Sequence, residues 1–267
     1  MQYQPADYRE LKPLYEHAIA EKESGDPKLA ASMLDYGTFL LRNGDAAGAE
    51  TWLRRSLSLD ALNQTREQLA IALETSGNAD AAMPFYLEAS KDPALAPRCL
   101  ARLGSIAETK GDAHSALDYY RRAANVSKGA QTAARLNDIG LVLSQQKHYA
   151  DAQTSFERAL AIQEKELGAG NSEVAATLNN LALLSLAQGN PKAEQFERRS
   201  LSILERTLGP RHLRVGVSSG NLARILRAKG DRSSAQFFYK RALAIFEEQL
   251  GPKHQWTLGV KTALASR

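Results

Sequence analysis

Residues 221–254, NLARILRAKGDRSSAQFFYKRALAIFEEQLGPKH, decide the architecture of this 267-residue chain. Leu222, Ala223 and Leu226 recur at helical spacing before Gly230, and Ala235, Tyr239 and Ala242 recur at i, i+4 and i+7 after it. Two amphipathic helices therefore flank one turn. Gly230 suits the left-handed conformation that ends many helices, and Asp231 can accept hydrogen bonds from the free N–H groups of the next helix. Neither helix can bury its apolar face alone, so the pair must fold back on itself and pack against neighbours.

The same unit recurs six times. Its turn residues are Gly44, Gly77, Gly111, Lys147, Gly189 and Gly230, followed four or five places on by Ala49, Ala82, Ala116, Ala152, Ala193 and Ala235. The two-residue turn device also appears as Gly44-Asp45, Gly77-Asn78, Gly111-Asp112 and Gly189-Asn190; Lys147-His148 replaces it in the fourth unit and predicts a strained or differently capped turn. Small residues stand seven places before each turn (Gly37, Ala70, Gly104, Gly140, Ala182 and Ala223), where a large side chain would hold the paired helix away. Across the turn, Leu53, Tyr86, Tyr120, Phe156 and Tyr239 supply the bulk that fills the space. In the fifth unit one residue is missing between Gly189 and Ala193, and Pro191 sits in the gap, which predicts a changed entry into the second helix.

These positions resemble the tetratricopeptide repeat (TPR) family, with Leu103-Gly104, Gly111, Ala116, Tyr120 and Ala123 matching its small and large places. The later units are similar to its longer, kinesin-light-chain-like repeats, through residues 178–182 (LNNLA) and the helix-plus-loop segment 241–254. Gly168, Gly209 and Gly251 stand 41 and 42 residues apart, against 33 and 34 between the first turn residues. The resemblance implies an all-α, right-handed superhelical solenoid of antiparallel helix pairs forming a single domain over 1–267. Its parts are a half-repeat cap at 1–27, repeats at 28–60, 61–95, 96–130, 131–171, 172–212 and 213–253, and a capping helix at 254–267.

Composition is that of a foldable globular chain: 43% of residues are hydrophobic and only 9 are proline. Residues 1–97 hold 9 Lys+Arg against 15 Asp+Glu, while residues 98–267 hold 25 against 15, so a net −6 and a net +10 make up the total of +4. Such a gradient steers acidic ligands toward the C-terminal half or reflects a solvated surface. The single cysteine, Cys99, forms no internal disulfide and reads as a small core hydrophobe. Neither a secretory signal nor an apolar run of membrane-spanning length is present, so a cytoplasmic location is expected.

Catalytic chemistry finds no foothold in the sequence. His17, His114, His148, His212 and His254 are scattered, and no metal-ligand spacing occurs. Gly168-Ala169-Gly170 follows a helix instead of a strand, the wrong context for a phosphate loop. His212 and His254, each after Gly-Pro-x, suit loop packing or helix capping. Neither an enzyme nor a cofactor nor a metal is expected.

In the resembling family the first helix of each pair lines an inner groove that holds extended peptides. Nine places before the turn stand Asp35, Gln68, Arg102, Asp138, Asn180 and Asn221, a polar row that a hydrophobic core does not explain. Asn137 and Asn179 hold the place before in the fourth and fifth units, Glu67, Glu74 and Glu108 lie at neighbouring inward places early in the chain, and Arg224 and Arg227 lie late. The expected function is a non-enzymatic scaffold that binds a protein partner's peptide segment through Asn137, Asn179, Asn180, Asn221, Arg224 and Arg227, favouring acidic ligands. Nucleic-acid binding or ligand sensing is the alternative; basic stripes interleaved with exposed aromatics are missing, so nucleic acid is not the expected partner. Leu258 and Val260 at the end of the stack could pair with a second copy.

Overall fold

The computed structural model describes residues 5–20, 22, 26 and 28–265, with the side chains of 5–8 left out. The parts of the expected caps at 1–4, 21, 23–25, 27 and 266–267 lie outside the described residues. Fourteen helices and no strand occur among those described: α1 Pro5–Ala20, α2 Leu29–Arg42, α3 Ala46–Leu59, α4 Asn63–Thr75, α5 Ala79–Ala89, α6 Ala96–Thr109, α7 Ala113–Val126, α8 Ala130–Gln145, α9 Tyr149–Leu167, α10 Ser172–Ala187, α11 Lys192–Leu208, α12 Leu213–Ala228, α13 Arg232–Leu250 and α14 Gln255–Ala265. No described helix is long and apolar enough to cross a membrane.

Two compact units result, Met1–Val126 and Ser127–Arg267. In the first, α2 packs on α3, α4 on α5 and α6 on α7, and the pairs join through α3 with α4 and α5 with α6. The second repeats the scheme with α8 on α9, α10 on α11 and α12 on α13, joined by α9 with α10 and α11 with α12. First helices of neighbouring pairs also touch, α2 with α4, α8 with α10 and α10 with α12, and so form a layer of their own. Short turns make each pair antiparallel.

Turn chemistry builds the hairpins. Gly44, Gly77, Gly111, Gly189 and Gly230 take φ between 67° and 87°, and Lys147, the one described non-glycine residue at positive φ, takes 63°. Asp45 Oδ1 accepts from Gly48 N at 2.8 Å, Asn78 Oδ1 from Ala81 N at 3.3 Å, Asp112 Oδ1 from Ser115 N at 3.0 Å and Asp231 Oδ1 from Ser234 N at 3.0 Å. His148 supplies no side-chain cap, so the fourth turn carries a left-handed lysine and an uncapped helix start, as its sequence predicts. At the fifth, Asn190 Oδ1 caps Lys192 N at 3.0 Å across Pro191, whose φ of −64° already suits a helix start.

Close approach rests on the small residues. A Cβ on Gly104 would stand 2.5 Å from Tyr120 Cε1, one on Gly140 2.5 Å from Phe156 Cε1, and one on Gly37 2.6 Å from Leu53 Cγ. Leu53, Tyr86, Tyr120, Phe156 and Tyr239 are buried accordingly. The stacks have apolar ends as well. Tyr15 of α1 stacks on Tyr36 at 5.3 Å, and the Tyr36 hydroxyl donates to Glu16 Oε1 at 2.7 Å. In the second unit Val260 of α14 is buried in the core with Ile245 and Phe246. The suggestion that Val260 meets a second copy is therefore corrected: helical spacing turns it toward α13, while Leu258 stays half exposed.

Candidate functional site

The residues expected to face a ligand fall into two groups, both in the second unit. Asn137 and Asn179 are committed inside it. Asn137 Nδ2 donates to Thr177 Oγ1 at 2.7 Å, and the Thr177 hydroxyl donates to Gln163 Oε1 at 2.6 Å, so this chain ties α8, α9 and α10 together. Asn179 Nδ2 lies 3.1 and 3.0 Å from the two carboxyl oxygens of Glu197, and the Ser218 hydroxyl donates to Glu197 Oε1 at 2.5 Å, which ties α10, α11 and α12. Their amide donors hold the layer of first helices together from within.

Asn180 and Asn221 are different. Both are half-buried, and neither side chain makes a hydrogen bond to another described residue. Asn180 lines a small cleft of about 160 Å³ with Asn179, Ser200, Arg214 and Ser218, among α10, α11 and α12. Arg214 is anchored there by Nη2 donating to the Ser172 carbonyl at 3.1 Å. On α12, Arg224 is exposed without an ion-pair partner among the described residues, and Arg227 is exposed with its guanidinium over the Tyr239 ring at 5.6 Å from the centroid. Spacings of three and six residues from Asn221 put these arginines along one side of the helix.

The acidic residues of the first unit are largely spoken for. Glu67 is buried and forms a forked pair with Arg98, whose Nη2 lies 2.6 Å from Oε2. Glu74 Oε2 accepts from the Tyr86 hydroxyl at 2.6 Å, and Glu108 Oε2 from that of Tyr120 at 2.9 Å. Glu74 and Glu108 tie the two helices of their own hairpins, and Glu67 ties its hairpin to the next through Arg98. Cys99 is buried, and burial pushes its thiol up to about 12, which leaves it protonated and unreactive. His212 Nδ1 accepts from Arg214 N at 3.1 Å and His254 Nδ1 from Trp256 N at 3.2 Å, so both histidines are helix caps.

Glu197, the acceptor of the Asn179 and Ser218 hydrogen bonds, stands at a place where the repeat pattern calls for a ring. It occupies the place of Phe156 and Tyr239, twelve before Gly209 as they are twelve before Gly168 and Gly251. A carboxyl group thus stands where other repeats bury a ring, and it is wholly buried. Burial pushes its pKa up to about 7, against the opposing pull of the Ser218 and Asn179 hydrogen bonds. Counting back from Gly209, instead of forward across the shortened turn at Pro191, is the signal that finds it.

Paired helices in series, with a polar layer of first helices, define a repeat scaffold of the helical-hairpin class. The Tetratricopeptide repeat family model matches residues 97–165, 131–201 and 173–248, together more than half of the sequence, and the chain belongs to that family. Among solved structures it is similar to the C-terminal part of a TPR repeat-containing protein from Cytophaga hutchinsonii, with a TM-score of 0.71 and 15% identity over 95% of this chain and 94% of that one. BtubC (BKLC) from P. vanneervenii gives 0.66 and 19% over 86% and 94%. Pseudomonas aeruginosa pilF gives 0.65 and 17% over 90% and 100%. At these identities the likeness is one of fold. No curated protein matches the chain.

Proposed function

We propose that the second unit is a protein-interaction scaffold that holds an extended, acidic peptide segment of a partner along the layer of α8, α10 and α12. The observation that carries this reading is the pair Asn180 and Asn221. Two side-chain amides at equivalent places on neighbouring helices are half exposed and make no hydrogen bond to another described residue, beside Arg224, which has no ion-pair partner among those residues. An asparagine side chain both donates and accepts, which matches the backbone of an extended peptide. Arg224 and Arg227 add the charge and the forked donors that suit carboxylates. Asn137 and Asn179 act from beneath, fixing the spacing of the helices that present the others.

The test is capture of partners from the native lysate by the parent and by a triple variant, N180A/N221A/R224E, with folding checked by circular dichroism. Loss of the parent's partners in the variant is expected, and acidic segments should compete for them. An unchanged partner set would overturn the reading. Recovery of nucleic acid instead, with retention falling steeply as salt rises, would point to the other class of ligand.

A further inference from the structure

Three repeats carry a tyrosine nine places after the turn, and the surroundings of its hydroxyl are not the same in all three. In the repeat of α4 and α5, Tyr86 donates to Glu74 Oε2 at 2.6 Å, and Arg102 Nη1 stands 3.5 Å from the other carboxyl oxygen. In the repeat of α6 and α7, Tyr120 donates to Glu108 Oε2 at 2.9 Å. Glu74 and Glu108 both lie three places before their turn glycines. In the repeat of α12 and α13 that place belongs to Arg227.

Tyr239 has accordingly lost its acceptor. The residue is 4% exposed, and its hydroxyl is buried with no hydrogen-bond partner among the described residues, a state that costs folding free energy unless a ligand relieves it. Tyr239 and Arg227 line one cleft of about 490 Å³, together with Arg232 and Gln236 of α13 and with Ala263 and Leu264 of α14. Two arginines, a glutamine and the tyrosine with the buried hydroxyl thus line one cavity, with no carboxylate among the described residues that line it.

We propose that this cleft binds a carboxylate, which takes the place of the glutamate that the earlier repeats carry within the chain. The Tyr239 hydroxyl donates to it as Tyr86 donates to Glu74, and Arg227 and Arg232 supply the positive charge that Arg102 supplies there. Its source is an acidic side chain or chain end of a peptide, or a free carboxylic acid. The proposal deepens the acidic preference put forward above and rests on it only for a peptide being the source.

The experiment uses the full chain with ¹³C-labelled tyrosine rings, the Tyr239 resonance being assigned by its loss in Y239F. The probes, at constant ionic strength, are sodium succinate, a capped and amidated tetraglutamate peptide, and the matching tetraglutamine peptide. A saturable shift of the Tyr239 resonance is expected with at least one carboxylate probe and none with tetraglutamine. A response to succinate marks a site for free carboxylates; a response to tetraglutamate alone marks one for peptide side chains. In R227E the response should weaken at least tenfold, because the new carboxylate occupies the site itself, and the variant should melt above the parent. No shift with either carboxylate, an equal shift with tetraglutamine, undiminished binding in R227E, or melting of R227E below the parent would overturn the proposal. These probes need no partner protein and the groove variant leaves Arg227 intact, so failure here and failure of the groove reading are told apart.

Discussion

A buried carboxyl at a place built for a ring is the sharpest single-residue departure from the repeat. Glu197 has a folded-state pKa raised from the ordinary carboxylate range to about 7, chiefly by burial. The sign follows directly: the stabilising contribution of the protonated group is complete below its unfolded pKa and is lost as pH rises through 7. A shift of that size corresponds to about 3 kcal/mol. Stability of the parent should therefore fall as pH rises from about 4.5 to about 7 and level off above that, and urea unfolding of E197Q should lack most of that slope. An identical slope in the two proteins would mean that Glu197 is ionised and paid for by its hydrogen bonds throughout. Register from Gly209 makes this residue legible in the sequence, but its hydrogen bonds are not. Ser218 lies on the next repeat, 21 residues on, and only packing brings it within 2.5 Å.

Helix pairs show how one atom sets the distance between elements. A Cβ on Gly104 would meet the Tyr120 ring at 2.5 Å, whereas one on Gly220 of α12 would meet only Ala242 Cβ at 3.9 Å. Both glycines are helical, so alanine gains about 1 kcal/mol of intrinsic propensity at either. At Gly104 the overlap, of about 1–3 kcal/mol, outweighs that gain. Thermal melts should then show G104A destabilised and G220A stabilised; the same sign for both would contradict the close-approach account. The small-then-large pattern seven before and nine after the turn makes Gly104 legible from the sequence. Lys147 is legible in the same way, because a side chain at φ 63° costs about 1–2 kcal/mol and stands out against five glycines.

At the scale of the molecule, each unit is a stack in which a hairpin touches mainly its sequence neighbours, so damage at an end spreads inward from that end. In the second unit α14 covers the last hairpin: Val260 is buried, Lys261 Nζ lies 2.7 Å from Glu247 Oε1, and the Thr257 hydroxyl donates to the Gly251 carbonyl at 2.9 Å. Deletion of residues 256–267 should lower the melting temperature sharply, with amide exchange protection lost first in α12 and α13 and least in α8. An unchanged melting curve would remove the capping role of α14. Periodic apolar faces, turn glycines and small-to-large pairs determined the helices, their pairing and the family from the sequence alone, because those properties are local and repeat with the chain. Tertiary structure alone decided which polar side chains are free. Asn137, Asn179 and Asn180 read alike as letters, yet the first two spend their donors on Thr177 and Glu197, and the third does not. Hydrogen-bond partners come from adjacent helices tens of residues away, and their distances are fixed only when the stack closes.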